Sequence, residues 1–181
     1  MYGFFFCLTF WLSYSQLLKL DIKSATGIIN NLIYQTPTRG LLYAGDIVRG
    51  SLDHRLEHLS CYLPGILALG AYTLPDAELP PKQKEIHRWA AHGLAYTCAV
   101  SYADQQTGLG PDQMKMPGVG RRWMEVVDEW ETGGRQGIPP GMGEPEPEKD
   151  SSKRDYFSPW PNAYLLRPEV RTTIQLFILF E

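Results

Sequence analysis

Apolar residues recur at helical spacing along most of the chain. Intervals of three and four between residues 21 and 40 predict an amphipathic helix that ends at Pro37 and Gly40. Its apolar positions are Ile22, Ala25, Ile28, Ile29, Leu32 and Ile33. A second helix is predicted in HLSCYLPGILALGAY, where Pro64 falls near the first turn and its missing N–H costs little. A third is predicted in KQKEIHRWAAHGLAYTCAVSY. The pattern therefore predicts an all-α chain with little strand signal.

Both ends of the chain are apolar. Residues 1–20 contain an apolar run of about a dozen residues, which is short for a membrane span. That length suits either a buried helix or the core of a signal or anchor, although no basic leader and no A-x-A site accompany it. A helix is predicted from Pro168 onward, and its apolar stripe is Val170, Ile174, Phe177 and Ile178. Because that stripe has no cap after it, we expect the sequence to continue in a longer protein.

The region between residues 103 and 163 is rich in glycine, proline and charge. A connection of this length is usually a functional or a disordered loop. Within it, RRWMEVVDEWE predicts a short helix, and EPEPEKDSSKRD predicts a solvated loop tip. We therefore expect an apolar segment at 1–20 and a domain at 21–181 that carries a long loop at 103–163.

Size, charge and cysteine content narrow the protein class. A chain of 181 residues is long enough for one domain with a core. Its net charge of −3 predicts no general attraction to nucleic acid. The cysteines are Cys7, Cys61 and Cys98, and no C-x-x-C pair exists, which excludes a four-cysteine zinc site. They are compatible with buried thiols or with one disulfide and a remaining cysteine.

The segment HRLEH, from His54 to His58, matches the H-x-x-E-H motif of inverted zinc peptidases. On a helix, the two histidines would lie one turn apart and could bind one metal ion. The motif is short, and spacing singles out no third ligand. A zinc metallopeptidase is thus one alternative function, but we expect no metal at this motif.

Four segments in order carry a more specific signal. They are DHRLEHLSCYLPGILALGAY, YTC, TGLGPD and YLLRPE, and they resemble the class I α-1,2-mannosidases, glycoside hydrolase family 47. The family's patterns are approximately DHLVCFLPGxLALG, TC, TGLSPE and LLRPETVES. The resemblance covers Ser24 to Phe180 and is weakest at 118–160. It implies a partial (α/α)7 barrel and a glycosidase that removes terminal α-1,2-linked mannose from high-mannose N-glycans, with inversion.

The resemblance also implies roles for particular residues. Glu169, the glutamate of LLRPE, matches the base-side catalytic carboxylate, and Asp112 is a second catalytic candidate where the family usually has glutamate. Arg167 matches an arginine of the sugar cleft. Glu57 and His58 match the cleft pair DH, with glutamate in place of aspartate. Inverting hydrolysis needs two carboxyl groups, and arginine and histidine can bind sugar hydroxyls. Considered apart from the family motifs, Glu169 could instead be a stabilising negative charge in the first turn of a helix.

Further expectations follow from the family resemblance. It implies a disulfide between Cys61 and Cys98, with Cys7 unpaired. It also implies bound calcium, although the threonine that binds calcium belongs to a family segment absent from this chain. The implied compartment is the secretory pathway, in the endoplasmic reticulum or Golgi. Membrane association through the N-terminal segment, or through a segment absent here, is an open alternative.

The chain also departs from the family's pattern. Thr172 stands where the family has an acidic residue, and Trp11 occupies the aspartate position of the family motif DSYYEYLLK. The general-acid motif, a glutamate before an IR-LGGLLSAY run, is absent. The sequence therefore resembles the middle-to-late part of a catalytic domain, and we expect the chain alone not to turn over mannosides. The alternative is a non-catalytic, mannosidase-like glycan-binding protein that keeps His58, Arg167 and Glu169 as sugar contacts.

Overall fold

The computed structural model describes residues 2–116, 120–160 and 168–180, with side chains from Ser15 to Gln175 within those ranges. These residues are mainly helical, as the apolar spacing predicts. The helices are α1 (Tyr2–Leu32), α2 (Leu63–Thr73), α3 (Pro81–Ala103), α4 (Trp123–Thr132) and α5 (Glu169–Phe180). Short 3-10 helices lie at His58–Tyr62 and Ser151–Lys153.

Short strands connect the helices. They are β1 (Ile33–Gln35), β2 (Leu42–Ala44), β3 (Asp46–Val48), β4 (Ser51–Asp53), β5 (Arg55–Glu57), β6 (Gln113–Lys115) and β7 (Arg121–Arg122). All described pairs are antiparallel, in the order β2-β1-β7 and in the pairs β3-β4 and β5-β6. Strands of two or three residues are too short to show a period-two pattern, so the sequence did not reveal them.

Helix α1 differs from the predicted helix at both ends. It continues without a break across residue 20, and it ends at Leu32, where β1 begins, rather than at Pro37. Ile33 is fully buried in the strand that follows. Among the described residues, no helix is both long enough and apolar enough to cross a membrane.

The core has two parts. One lies between the first four helices and contains Ile29, Leu67, Leu94 and Trp123 among its buried residues. The other lies under the strands and contains Leu41, Tyr43, Leu56, Val100, Met114, Met116 and Tyr156. Because burying one such side chain contributes about 1.5–3 kcal/mol, these clusters are the main source of stability.

The long region after α3 is folded against the rest of the protein where the structure describes it. The short helix predicted within it is confirmed as α4. The segment expected to be a solvated tip has many exposed side chains, but Glu148 N donates to the buried carboxylate of Asp104 (2.7 Å). Arg39 donates to the carbonyl oxygen of Glu146 (3.1 Å). The backbone of this segment is therefore attached to the C-terminal end of α3.

Candidate active site

The β5-β6 pair positions the first group of predicted site residues. Glu57 pairs with Gln113 in this ladder, and Gln113 Nε2 donates to Glu57 Oε1 (3.2 Å). One residue further on, His58 N donates to the carbonyl oxygen of Asp112 (3.0 Å). The ladder thus brings together two motifs that are more than fifty residues apart in the sequence. Asp112 joins them through its backbone, and its side chain is exposed.

Glu169 reaches the same place from the first turn of α5. Its side chain is buried, as is that of His58, and His58 Nδ1 lies 3.4 Å from Glu169 Oε2. One turn further along α5, Thr173 Oγ1 donates to the carbonyl oxygen of Cys61 (2.6 Å). This bond attaches α5 to the 3-10 helix that carries His58. The first turn of α5 therefore places Glu169 beside His58, the residue that the β5-β6 pair positions.

Tyr102 on α3 completes the described site. Its hydroxyl lies 2.6 Å from His58 Nε2, and the two rings meet edge to face at 5.6 Å. Sequence analysis did not select this residue. A signal was present, because Cys61 follows His58 by one 3-10 turn and Tyr102 follows Cys98 by one α-helical turn. A disulfide between those cysteines therefore places Tyr102 near His58.

The disulfide between Cys61 and Cys98 is present in the structure. It joins the 3-10 helix to α3 and closes a loop with a sequence separation of 37. In the chain-entropy model, closing such a loop contributes about 4 kcal/mol. Its position one turn from both His58 and Tyr102 means that it also fixes the two elements that carry the site. The side chain of Cys7 lies outside the described residues.

The environments of the two glutamates differ. Glu57 is half-exposed, and its Oε1 lies 3.4 Å from a guanidinium nitrogen of Arg55. Glu169 is 7% exposed, and its Oε2 makes no hydrogen bond of good geometry among the described residues. A buried carboxylate is costly unless it is compensated, and the helix N-terminus and His58 are the compensating groups here. Such a carboxylate can accept a proton from a bound molecule.

The helix that a zinc site at HRLEH requires is not formed. Arg55–Glu57 is a strand, and four residues of extended chain span about 13 Å, so His54 and His58 are not neighbours on one helix face. His54 Nδ1 instead lies 2.6 Å from the hydroxyl of Tyr43.

The described residues do not provide a site for calcium. No group of three histidine, cysteine or acidic side chains lies close enough to bind a metal within the described ranges. Calcium takes six to eight oxygen ligands. The described ranges therefore offer no cluster of three acidic side chains for such a coordination shell. Arg167, the predicted cleft arginine, lies outside the described residues.

Comparison with known proteins identifies the class. The model of glycosyl hydrolase family 47 matches residues 10–180. The chain belongs to glycosyl hydrolase family 47, as the four sequence motifs predict.

Several characterised proteins are similar to parts of the chain. The mouse endoplasmic reticulum mannosyl-oligosaccharide 1,2-alpha-mannosidase is 33% identical over 98 residues, which are 54% of this chain and 14% of that protein. Its human counterpart is 31% identical over 115 residues, which are 62% of this chain and 15% of that protein. Human mannosyl-oligosaccharide 1,2-alpha-mannosidase IC is 40% identical over 74 residues, which are 40% of this chain and 11% of that protein. The matched part spans about a seventh or less of these relatives.

Proposed function

We propose that this site serves the inverting hydrolysis of terminal α-1,2-linked mannose on high-mannose N-glycans. The observation that carries the proposal is the buried contact between His58 and Glu169, since these residues come from two separate family motifs. The names of the similar mannosidases supply the substrate class. The partner is then the glycan of a glycoprotein, and the compartment is the secretory pathway.

Glu169 has the properties of the base-side carboxylate. In inverting hydrolysis, a carboxylate removes a proton from the attacking water while an acid protonates the leaving oxygen from the opposite face. Burial excludes bulk water around Glu169, and the imidazole of His58 lies 3.4 Å from one of its oxygens. We assign sugar binding to His58, Glu57 and Arg167, and we keep Asp112 as the second carboxylate candidate because its backbone contacts His58.

The site suggests that the chain alone binds glycan without turning it over. Glu169 is the one buried carboxylate near His58 within the described residues, whereas hydrolysis needs a carboxyl group on each face of the bond. We propose that the remaining groups, including a calcium site, belong to a complete family domain with the (α/α)7 barrel. Exposed apolar side chains at Leu59, Ile66 and Leu69 support further helix packing there.

The presence of one buried carboxylate near His58 also favours a second candidate function. A protein with one buried carboxylate, a histidine and a disulfide-braced cleft could bind mannose glycans without hydrolysing them. Such a protein would bind α-1,2-mannobiose and release no mannose even within a complete domain. The two candidates thus make the same prediction for binding and differ in turnover.

The test measures binding and mannose release together. The 181-residue chain is titrated with α-1,2-mannobiose in the presence of calcium, and free mannose is measured in the same samples. His58→Ala should weaken binding at least about fivefold, since leaving buried polar partners of the imidazole unsatisfied costs about 1–3 kcal/mol. His54→Ala is the matched control, because its ring also bonds a tyrosine hydroxyl but lies outside the site. It should bind as the wild type does.

The proposal is wrong if the chain binds maltose and mannobiose equally well, or if His58→Ala leaves the affinity for mannobiose unchanged. Multiple turnover that disappears in Glu169→Gln would confirm the family activity and contradict the argument from a single buried carboxylate. Zinc retained at one equivalent and lost in His54→Ala would revive the peptidase alternative.

A further inference from the structure

We propose that Tyr102 is a positioning residue that holds His58 in the tautomer with its proton on Nδ1, the ring nitrogen that lies beside Glu169. The catalytic consequence rests on the proposed function, which supplies the role of Glu169. The geometric claim itself concerns three side chains of this chain. Tyr102 belongs to none of the residues that the family motifs brought forward in the sequence analysis.

The hydrogen-bonding capacity of Glu169, His58 and Tyr102 determines which group donates and which accepts in each contact. A carboxylate only accepts hydrogen bonds, so we place the imidazole proton on Nδ1, which lies 3.4 Å from Glu169 Oε2. In a neutral imidazole the other nitrogen, Nε2, is then an acceptor. The hydroxyl of Tyr102, 2.6 Å from Nε2, therefore donates to it. Loss of that donor would remove the preference for one tautomer.

Packing keeps the Tyr102 ring in this place. A Cβ atom added at Gly110 would lie 2.7–2.8 Å from three carbon atoms of the ring, so the segment before Asp112 is in close contact with it. On the other side, the ring meets the imidazole of His58 edge to face. The disulfide one turn away holds α3 against the 3-10 helix. Tyr102 thus has little freedom to turn away from His58.

A fixed His58 would keep its imidazole beside Glu169 Oε2, the oxygen that makes no hydrogen bond of good geometry among the described residues. A displacement of a catalytic base by about 1 Å can reduce the rate by about 100-fold. In a complete domain, Tyr102→Phe should therefore lower kcat by a larger factor than it raises KM. A residue that only stabilised the fold would not change kcat and KM by different factors.

The direct test is the ¹⁵N NMR spectrum of the histidine rings in the 181-residue chain at neutral pH. Protonated and unprotonated imidazole nitrogens have well-separated shifts. The wild type should show His58 with a protonated Nδ1 and an unprotonated Nε2. In Tyr102→Phe, both shifts should move toward the average of two tautomers. Gly110→Ala, which keeps the hydroxyl but displaces the ring, should move them in the same direction.

Tyr43→Phe is the matched control, because it removes a buried hydroxyl that bonds His54 instead. It should change the shifts of His54 and leave those of His58 in place. A wild-type His58 with a protonated Nε2, or shifts unchanged in Tyr102→Phe, would overturn the proposal. This result needs no sugar, so it is independent of whether the chain binds mannose.

Discussion

The carboxylate of Asp104 is the most highly connected buried charge among the described residues. It is fully buried, and Arg39 contacts both of its oxygens at 2.7 and 3.2 Å. The hydroxyl of Tyr156 donates to Oδ2 (2.8 Å), and burial together with this carboxylate raises the pKa of Tyr156. Burial alone would lower the pKa of Arg39, but the hydrogen bond and charge of Asp104 raise it. These contacts attach the long loop to α3.

Asp104→Ala should destabilise the protein by about 3–5 kcal/mol, because it leaves the guanidinium of Arg39 buried without its partner. The free energy of unfolding in urea gives the value. Glu129→Ala is the control, since it also breaks an arginine–carboxylate pair, with Arg121, but one that is exposed to solvent. It should leave the unfolding midpoint unchanged. Equal effects of the two substitutions would contradict this account of the buried pair.

Close packing of α3 depends on its single glycine, Gly93. A Cβ atom at Gly93 would lie 2.5 Å from the carbonyl oxygen of Gly141 and 2.6 Å from Cδ1 of Leu42. Helix α3 therefore approaches both β2 and the long loop at a distance that no other residue allows. Gly27 in α1 is different, because no atom lies within 4 Å of the position of its Cβ.

The two glycines should respond in opposite directions to substitution by alanine. Gly93→Ala should destabilise the protein by about 1–3 kcal/mol through overpacking. Gly27→Ala should stabilise it by up to about 1 kcal/mol, since alanine is the better helix former and has room there. Thermal unfolding of both variants beside the wild type measures the two shifts. A stabilising Gly93→Ala would show that this close contact is absent.

At the level of elements, helices were more predictable than strands. The spacing of apolar residues predicted α2, α3 and α4, because each presents a stripe to the core. The strand β5 within HRLEH was not predicted, because it is held extended by its partner β6. That pairing joins residues far apart in sequence, and no local pattern records it. Tyr102 was missed for the same reason, since its role arises from the contact with His58.

At the level of the whole molecule, residues from separate motifs meet at one site. The family motifs pointed to His58 and Glu169 separately, and the structure brings the two side chains together although they lie on different elements. The motifs could not give the distance between the two side chains, their burial or the third partner. These depend on how α5 and α3 pack around the 3-10 helix. The central claim is therefore that this meeting point is where mannose binds.

The most direct measurement is an NMR titration of the ¹⁵N-labelled 181-residue chain with α-1,2-mannobiose. The account predicts that amide shifts change most at residues 57–61, at Tyr102 and at 169–173. The corner formed by Trp89, Trp130 and Arg135, an aromatic and cationic surface away from the site, should not respond. Shift changes centred on that corner, or no saturable change at His58 and Glu169, would contradict the account.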